Sequence, residues 1–201
     1  IARLGANRAK LASFSQAKYG AQTGNDWQWF PDAGNGVLQS TGRNIVGNDP
    51  ADANTANNST IQRNWVQAIV NRWGVASSTA PRYYILDNEP SIWHSTHRDV
   101  HPTGVTMDDL LAGTKDYASQ IRTADPNATI VGPEEWGWSG YIFSGYDQQY
   151  GSLNGWSFLP DRANHGGMDY LPWFLQQLKA DGRRLLDVFT VHFYPQGGEF
   201  S

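Results

Sequence analysis

Residues 83–90, Tyr83-Tyr84-Ile85-Leu86-Asp87-Asn88-Glu89-Pro90, decide the reading of this chain. An apolar, aromatic-rich run stops abruptly at Asn88-Glu89-Pro90, as a buried parallel strand does when it delivers a carboxyl group to the mouth of an α/β barrel. Glutamate is scarce: the others are Glu134, Glu135 and Glu199, against fifteen Asp. These also stand near the ends of strand-like runs. A strand-tip carboxylate in a chain with nine Trp points to sugar chemistry.

Working outward, the order of elements is that of parallel βα units. Residues 1–7 read as a strand and residues 8–58 mainly as loop. A helix follows, in which Ile61, Trp65, Ile69 and Trp73 recur every four residues and Gly74 is the stop. Residues 106–124 give the clearest helix, opened by Thr106 with Asp109 in the manner of a capping box and ended by Asp125-Pro126. A short strand at 129–134 leads into an aromatic loop from Trp136 to about Asn164. The last two elements are a helix at about 169–181, stopped by Gly182, and a strand at 186–194. The fold class is therefore α/β: a (β/α)8 TIM-type barrel, here an incomplete portion covering roughly the second to sixth strands. At 201 residues the chain is short for the about 250 of a complete barrel. A start at Ile1 without Met or leader and a stop just after a strand end suggest a part of something longer.

A net charge of −4 and no basic run longer than Arg183-Arg184 argue against nucleic acid and anionic membranes as partners. A neutral polymer fits better. No apolar run approaches the roughly 18–20 residues of a membrane span. With no cysteine, disulfides and thiolate metal sites are excluded. That composition suits a secreted protein without demonstrating export.

Glycoside hydrolysis commonly uses two carboxyl groups, one protonating the leaving oxygen and one acting as nucleophile or base. Glu89 suits the first role, because apolar and aromatic neighbours raise a carboxyl pKa as a general acid requires. Asn88 beside it is placed to bond a sugar hydroxyl. The plainer alternative makes Glu89 a cap or a partner of Arg98. Glu134 and Glu135 precede Trp136-Gly137-Trp138, and Trp rings beside carboxylates match a pyranose, whose C–H face packs on aromatic planes. The alternative is core tryptophans and a solvated Glu. His192 and Tyr194 share one strand face, placed either to orient a carboxylate or sugar or to fill the core. Trp27, in Asn25-Asp26-Trp27, offers another stacking wall or simply part of a turn. His94, His97 and His101 carry the spacing of a zinc site, without a helical pattern or a His-Glu-x-x-His motif to support it. No cofactor is required, although the oxygen-rich stretches 48–52 and 147–150 are compatible with a structural calcium ion without EF-hand spacing.

The stretch Asp87-Asn88-Glu89-Pro90-Ser91-Ile92-Trp93-His94-Ser95-Thr96-His97-Arg98-Asp99-Val100-His101-Pro102 closely resembles the acid/base segment of glycoside hydrolase family 44, the endoglucanase and xyloglucanase family. Gly24-Asn25-Asp26-Trp27, Gly132-Pro133-Glu134-Glu135-Trp136-Gly137-Trp138 and Val191-His192-Phe193-Tyr194-Pro195-Gln196 resemble it in the same order. The resemblance implies a retaining endo-β-1,4-glucanase acting on cellulose, xyloglucan or mannan. It makes Glu89 the general acid/base at the fourth strand, with 129–134 the fifth strand and 187–194 the sixth. It places the nucleophilic Glu after a seventh strand, outside residues 1–201, together with the remaining barrel strands and an accessory β-sandwich. Such a chain needs the rest of its catalytic domain, and the alternative is a fragment that binds glucan without cutting it. One departure stands at Arg3-Leu4-Gly5-Ala6-Asn7, where the family usually has Arg-Trp-Gly-Gly-Asn.

Overall fold

The computed structural model describes residues 14–26, 30–52 and 54–195, which form two compact units. The expected first strand at 1–7 lies outside the described residues, as does Trp27.

The smaller unit comprises residues 14–57 and 95–102. It replaces much of the expected loop at 8–58 with a small antiparallel sheet of β1 (Phe14–Ser15), β2 (Asn25–Asp26) and β3 (Phe30–Gly34), in the order β1-β3-β2. A four-residue helix, α1 (Gln16–Tyr19), follows β1. Short strands without apolar alternation leave little periodic signal, which is why the sequence reads as loop. The buried Gln22 side chain holds the sheet from within, donating to Phe14 O at 2.9 Å and accepting from Gly36 N–H at 2.5 Å. Gly36 has φ +77°, and a Cβ there would meet Arg98 and Phe14 at 2.4 and 2.5 Å, so only glycine fits.

The larger unit comprises residues 58–94 and 103–195. Its elements in chain order are α2 (Ser59–Trp73), β4 (Tyr83–Ile85), α3 (Trp93–Thr96, which runs on into the smaller unit), α4 (Met107–Ala124), β5 (Thr129–Glu135), α5 (Trp138–Ile142), α6 (Gly145–Asn154), α7 (Pro160–Asn164), α8 (Tyr170–Asp181) and β6 (Val188–Val191). The three strands are parallel in the order β4-β5-β6, as expected of βα units. Among the described residues these are the parallel strands, and they do not close a barrel.

Local capping accounts for the helices that the sequence announces. Thr106 Oγ1 accepts from Asp109 N–H at 3.1 Å and donates to Asp109 Oδ2 at 2.7 Å, so Asp109 bonds the cap's hydroxyl rather than the backbone N–H that Glu or Gln takes in a full capping box. Asn58 caps α2 by accepting from Ile61 N–H at 2.9 Å. In α2 the stripe at every fourth residue does not all meet the core: Ile69 packs against it. Gln62 and Val66 are buried, whereas Ile61, Trp65 and Trp73 are exposed. The expected loop at 136–164 also contains α5, α6 and α7, three helices of 5, 10 and 5 residues. They are too short for a clear 3.6-residue period, and polar contacts hold them: Ser144 caps α6, and the buried Asp147 carboxylate accepts the Asp161 and Arg162 N–H groups at the start of α7.

The core lies between one face of the sheet and helices α2, α4 and α8. It contains Val66, Tyr84, Met107, Leu110, Ala118, Ile121, Ile130, Phe174 and Leu178. Tyr84 pairs with Ile130 on this face. The opposite face carries Tyr83 and Ile85 of β4 and Val188 of β6, all exposed. Among the described residues, β4 and β6 each pair with β5 alone.

Two acids, one partly and one fully buried, lock this arrangement. Asp187 accepts from Ile130 N–H at 2.7 Å and pairs with Arg122, tying the start of β6 to β5 and α4. Asp125, fully buried at the end of α4, pairs with Arg82 at 2.6 Å and accepts from Ala76 N–H at 2.8 Å. Removing one partner of such a pair leaves an uncompensated buried charge. Asp125→Ala is expected to lower the unfolding free energy by about 3 kcal/mol in urea titrations, and a loss below about 1 kcal/mol would contradict this role.

Candidate active site

β4 ends at Ile85, and the next four residues turn sharply. The non-glycine residues with positive φ among the described residues are Asp87 (78°), Glu89 (52°) and Glu134 (54°). Each such residue costs on the order of 1–3 kcal/mol, and such strain tends to cluster at functional sites. Here all three lie at the carboxyl-terminal tips of β4 and β5. Asp87 Oδ1 accepts from Asn88 N–H at 2.8 Å, and the Asn88 carbonyl accepts from Trp93 Nε1–H at 2.8 Å. The Glu89 N–H donates to the Glu134 carbonyl at 2.8 Å, which joins the two strand tips directly.

In β5 the pairing with β6 shifts register between Pro133 and Glu135. Glu134 is the extra residue of this bulge. The inserted Glu134, with its left-handed backbone, leaves Glu135 level with Val191, and the two adjacent carboxylates go to different partners. Glu134 reaches His192, with Oε2 at 3.2 Å from Nε2. Glu135 is fully buried.

His192 stands just beyond β6 and connects the two tips. Its Nδ1 lies 2.8 Å from Glu89 Oε1, so the ring bridges Glu89 and Glu134. Both ring nitrogens donate together only in the imidazolium form. Tyr194 donates its hydroxyl to the same Glu89 Oε1 at 3.0 Å. Tyr141 of α5 donates to the His192 carbonyl, and Glu135 O accepts His192 N–H at 2.6 Å. The backbone under the imidazole is thereby fixed from two sides.

Aromatic rings flank this cluster. Trp136 lies 6.1 Å from Tyr194 between ring centroids. Trp138, exposed at the start of α5, packs on Tyr141 at 5.9 Å. The structure therefore brings Glu89, Glu134, His192, Tyr194 and Trp136 together. Trp138 stands at the side of this group, and Asn88 takes part through its backbone. Among the described residues no three His, Cys, Asp or Glu side chains form a metal site.

The sequence missed the partners of Glu135. Its Oε1 accepts from Ser91 N–H at 3.1 Å, and its Oε2 accepts from Ser91 Oγ–H at 2.8 Å and Trp136 N–H at 2.8 Å. Tyr170 also bonds it, and burial raises that phenol well above its usual range. Burial pushes Glu135 from 4.5 up to about 7, against the opposing pull of these donors. The contacts with Ser91 join residues 44 apart in the chain and leave no local signature.

Comparison with known proteins shows the family. The model of glycoside hydrolase family 44 matches residues 2–197. The chain belongs to glycoside hydrolase family 44. CelM2, a bifunctional glucanase-xylanase from a metagenome library, is 68% identical and superposes with a TM-score of 0.86 over 94% of this chain and 37% of its own. A Paenibacillus polymyxa family 44 xyloglucanase, solved with xyloglucan, is 30% identical with a TM-score of 0.55 over 67% of this chain and 25% of its own. The β-mannanase/endoglucanase A of Caldicellulosiruptor saccharolyticus is 36% identical over 137 residues, 66% of this chain and 10% of the relative. This family 44 chain thus spans between a tenth and about a third of the proteins it matches.

The raised Glu135 predicts a pH dependence for the family 44 chain. Folding favours the protonated carboxyl, so the stability it contributes is complete below 4.5 and lost as the pH rises through about 7. For His165, burial lowers the pKa, but the Asp161 backbone and the Asp108 carboxylate outweigh it and raise the ring; this stability too is lost as pH rises above 6.5. Urea titrations should show unfolding free energy falling by up to about 3 kcal/mol between pH 5 and pH 8. Glu135→Gln should remove the Glu135 part and leave the shallower His165 part. Equal pH slopes in the two proteins would contradict the assignment.

Proposed function

We propose that this chain is the acid/base half of a retaining endo-β-1,4-glucanase active site. The observation that carries the reading is the convergence of His192 and Tyr194 on one oxygen of Glu89. Two donors on Oε1 leave Oε2 as the atom that carries a transferable proton. Glu89 protonates the glycosidic oxygen as a second carboxylate attacks the anomeric carbon. It then takes a proton from the water that releases the sugar. The water replaces the covalent bond with net retention, and no cofactor enters the reaction. Glu134 is not assigned as the nucleophile, since the His192 ring occupies the space between it and Glu89. The nucleophile is assigned to sequence beyond residues 1–201, at the about 5–5.5 Å separation that retention requires.

A (β/α)8 barrel is the proposed architecture, and two features support it. The β4 and β6 edges have no further partner among the described residues, and the sheet face with Tyr83, Ile85 and Val188 is apolar yet exposed. Further strands would satisfy both. The proposed substrate is a β-1,4-linked glucan, with Trp136 and Trp138 as stacking walls, and the proposed setting is secretion. The same open sheet favours a second reading, in which these residues alone hold glucan without hydrolysing it.

Reducing-end release from a soluble β-1,4-glucan by the complete catalytic domain that contains this chain tests the reading. Glu89→Gln is expected to lower turnover by about 10²–10⁴-fold on a natural glucan, as loss of a general acid does. The affinity for glucan is expected to persist. Near-normal turnover in Glu89→Gln would sink the assignment, whereas glucan binding without turnover in the unmodified complete domain would support the second reading.

A further inference from the structure

Glu135 has no role in the reaction proposed above, yet it is the most heavily engaged carboxylate at the strand tips. Its partners belong to the parts that must be aligned. Ser91 is two residues beyond Glu89, across Pro90, at the start of the turn Pro90–Ile92. Trp136 opens the aromatic wall, and Tyr170 begins α8. The Glu135 carbonyl accepts from His192 N–H at 2.6 Å, so one residue grips both the turn after Glu89 and the backbone of its imidazole partner.

The left-handed backbone at Glu89 makes such a grip consequential. A strained residue persists only where its surroundings over-determine it. Here the strain is bracketed: Glu89 N–H is held by the Glu134 carbonyl, and Ser91 N–H by the Glu135 carboxylate. α5 closes over the contact, since a Cβ at Gly140 would lie 2.7 Å from Ser91 Oγ and 3.1 Å from Glu135 Oε2. The space around the grip admits glycine and little else.

The geometry points to Glu135 as a positioning residue: by gripping Ser91 it holds the left-handed turn that presents the Glu89 carboxyl to His192 and Tyr194. This rests on the reading of Glu89 as the acid/base. Gln is the informative replacement. Each Glu135 oxygen accepts a backbone N–H, so an amide nitrogen in either orientation faces a donor.

The test follows the His192 Nδ1–H proton by ¹⁵N-edited NMR in the 201-residue chain, where its bond to Glu89 protects it from exchange. Glu135→Gln is expected to speed its exchange at least about tenfold while the amide signals of the sheet persist. Ser91→Ala removes one contact and should give a smaller acceleration. The double variant should exceed Glu135→Gln little, because both act through one contact. Exchange within about twofold of the unmodified chain in folded Glu135→Gln overturns the proposal. Should Glu135→Gln not fold, unchanged exchange in Ser91→Ala overturns it instead. The readout needs no turnover. An active Glu89→Gln would sink the acid/base reading alone, and an unchanged His192 signal beside an inactive Glu89→Gln would sink the positioning role alone.

Discussion

β5 hydrogen-bonds to β4 on one side and to β6 on the other, and both neighbours take their register from it. Its lower part is regular, with Tyr84 level with Ile130 and Val131 level with Val188. Side chains reinforce that regularity, since Asp187 binds the Ile130 N–H and Arg122 together. At its upper end the ladder slips by one residue. The three parts of the site, Glu89, Glu134 and His192, sit where the slip occurs. A rigid lower sheet and an irregular upper edge are what a catalytic surface needs: the first provides reference positions, the second places side chains that a regular pleat would turn away.

The two adjacent glutamates show how the same residue type takes on different chemistry. Glu134 is partly exposed and meets an imidazole, while Glu135 is sealed from solvent among four donors and is pushed up to about 7. A buried carboxyl is an expensive way to stabilise a fold, because desolvation opposes its charged form. Its partners nevertheless come from four separate places: the turn after β4, the tip of β5, the start of α8 and, through its carbonyl, the backbone of His192. A single apolar side chain has no directional contacts with which to align such dispersed elements.

The legibility of the chain follows the range of the interactions. α4 was readable because Thr106 and Asp109 form its cap three residues apart, and the parallel order was readable because strands and helices alternate. The apolar tips of β4 and β5 were readable as strand ends carrying carboxylates. α2 is readable as a helix but not in its orientation: it has apolar residues at both Trp65 and Val66, and periodicity alone cannot say which side meets the sheet. α5, α6 and α7 were hidden by their brevity, and the small antiparallel sheet by its two-residue strands. The cluster of Glu89, His192 and Tyr194 could be suspected from strand-end positions. The union of Glu135 with Ser91 and Tyr170 could not, as it depends on packing between distant elements.

The bulge at Glu134 also has a consequence for how this sequence tolerates change in length. Along β5, a substitution alters one side chain and leaves its neighbours in place. Loss of the Glu134 codon would remove the bulge and leave Glu135 on its present side, still level with Val191, but the carboxylate that meets His192 Nε2 would be gone. A codon lost from the lower part of β5 would be taken up at the same point, as Glu134 slid into the regular ladder. Along the seven residues of β5 the bulge is therefore where a change in length is absorbed, with the loss of one contact of the site, while the connecting segments have room for both replacement and deletion.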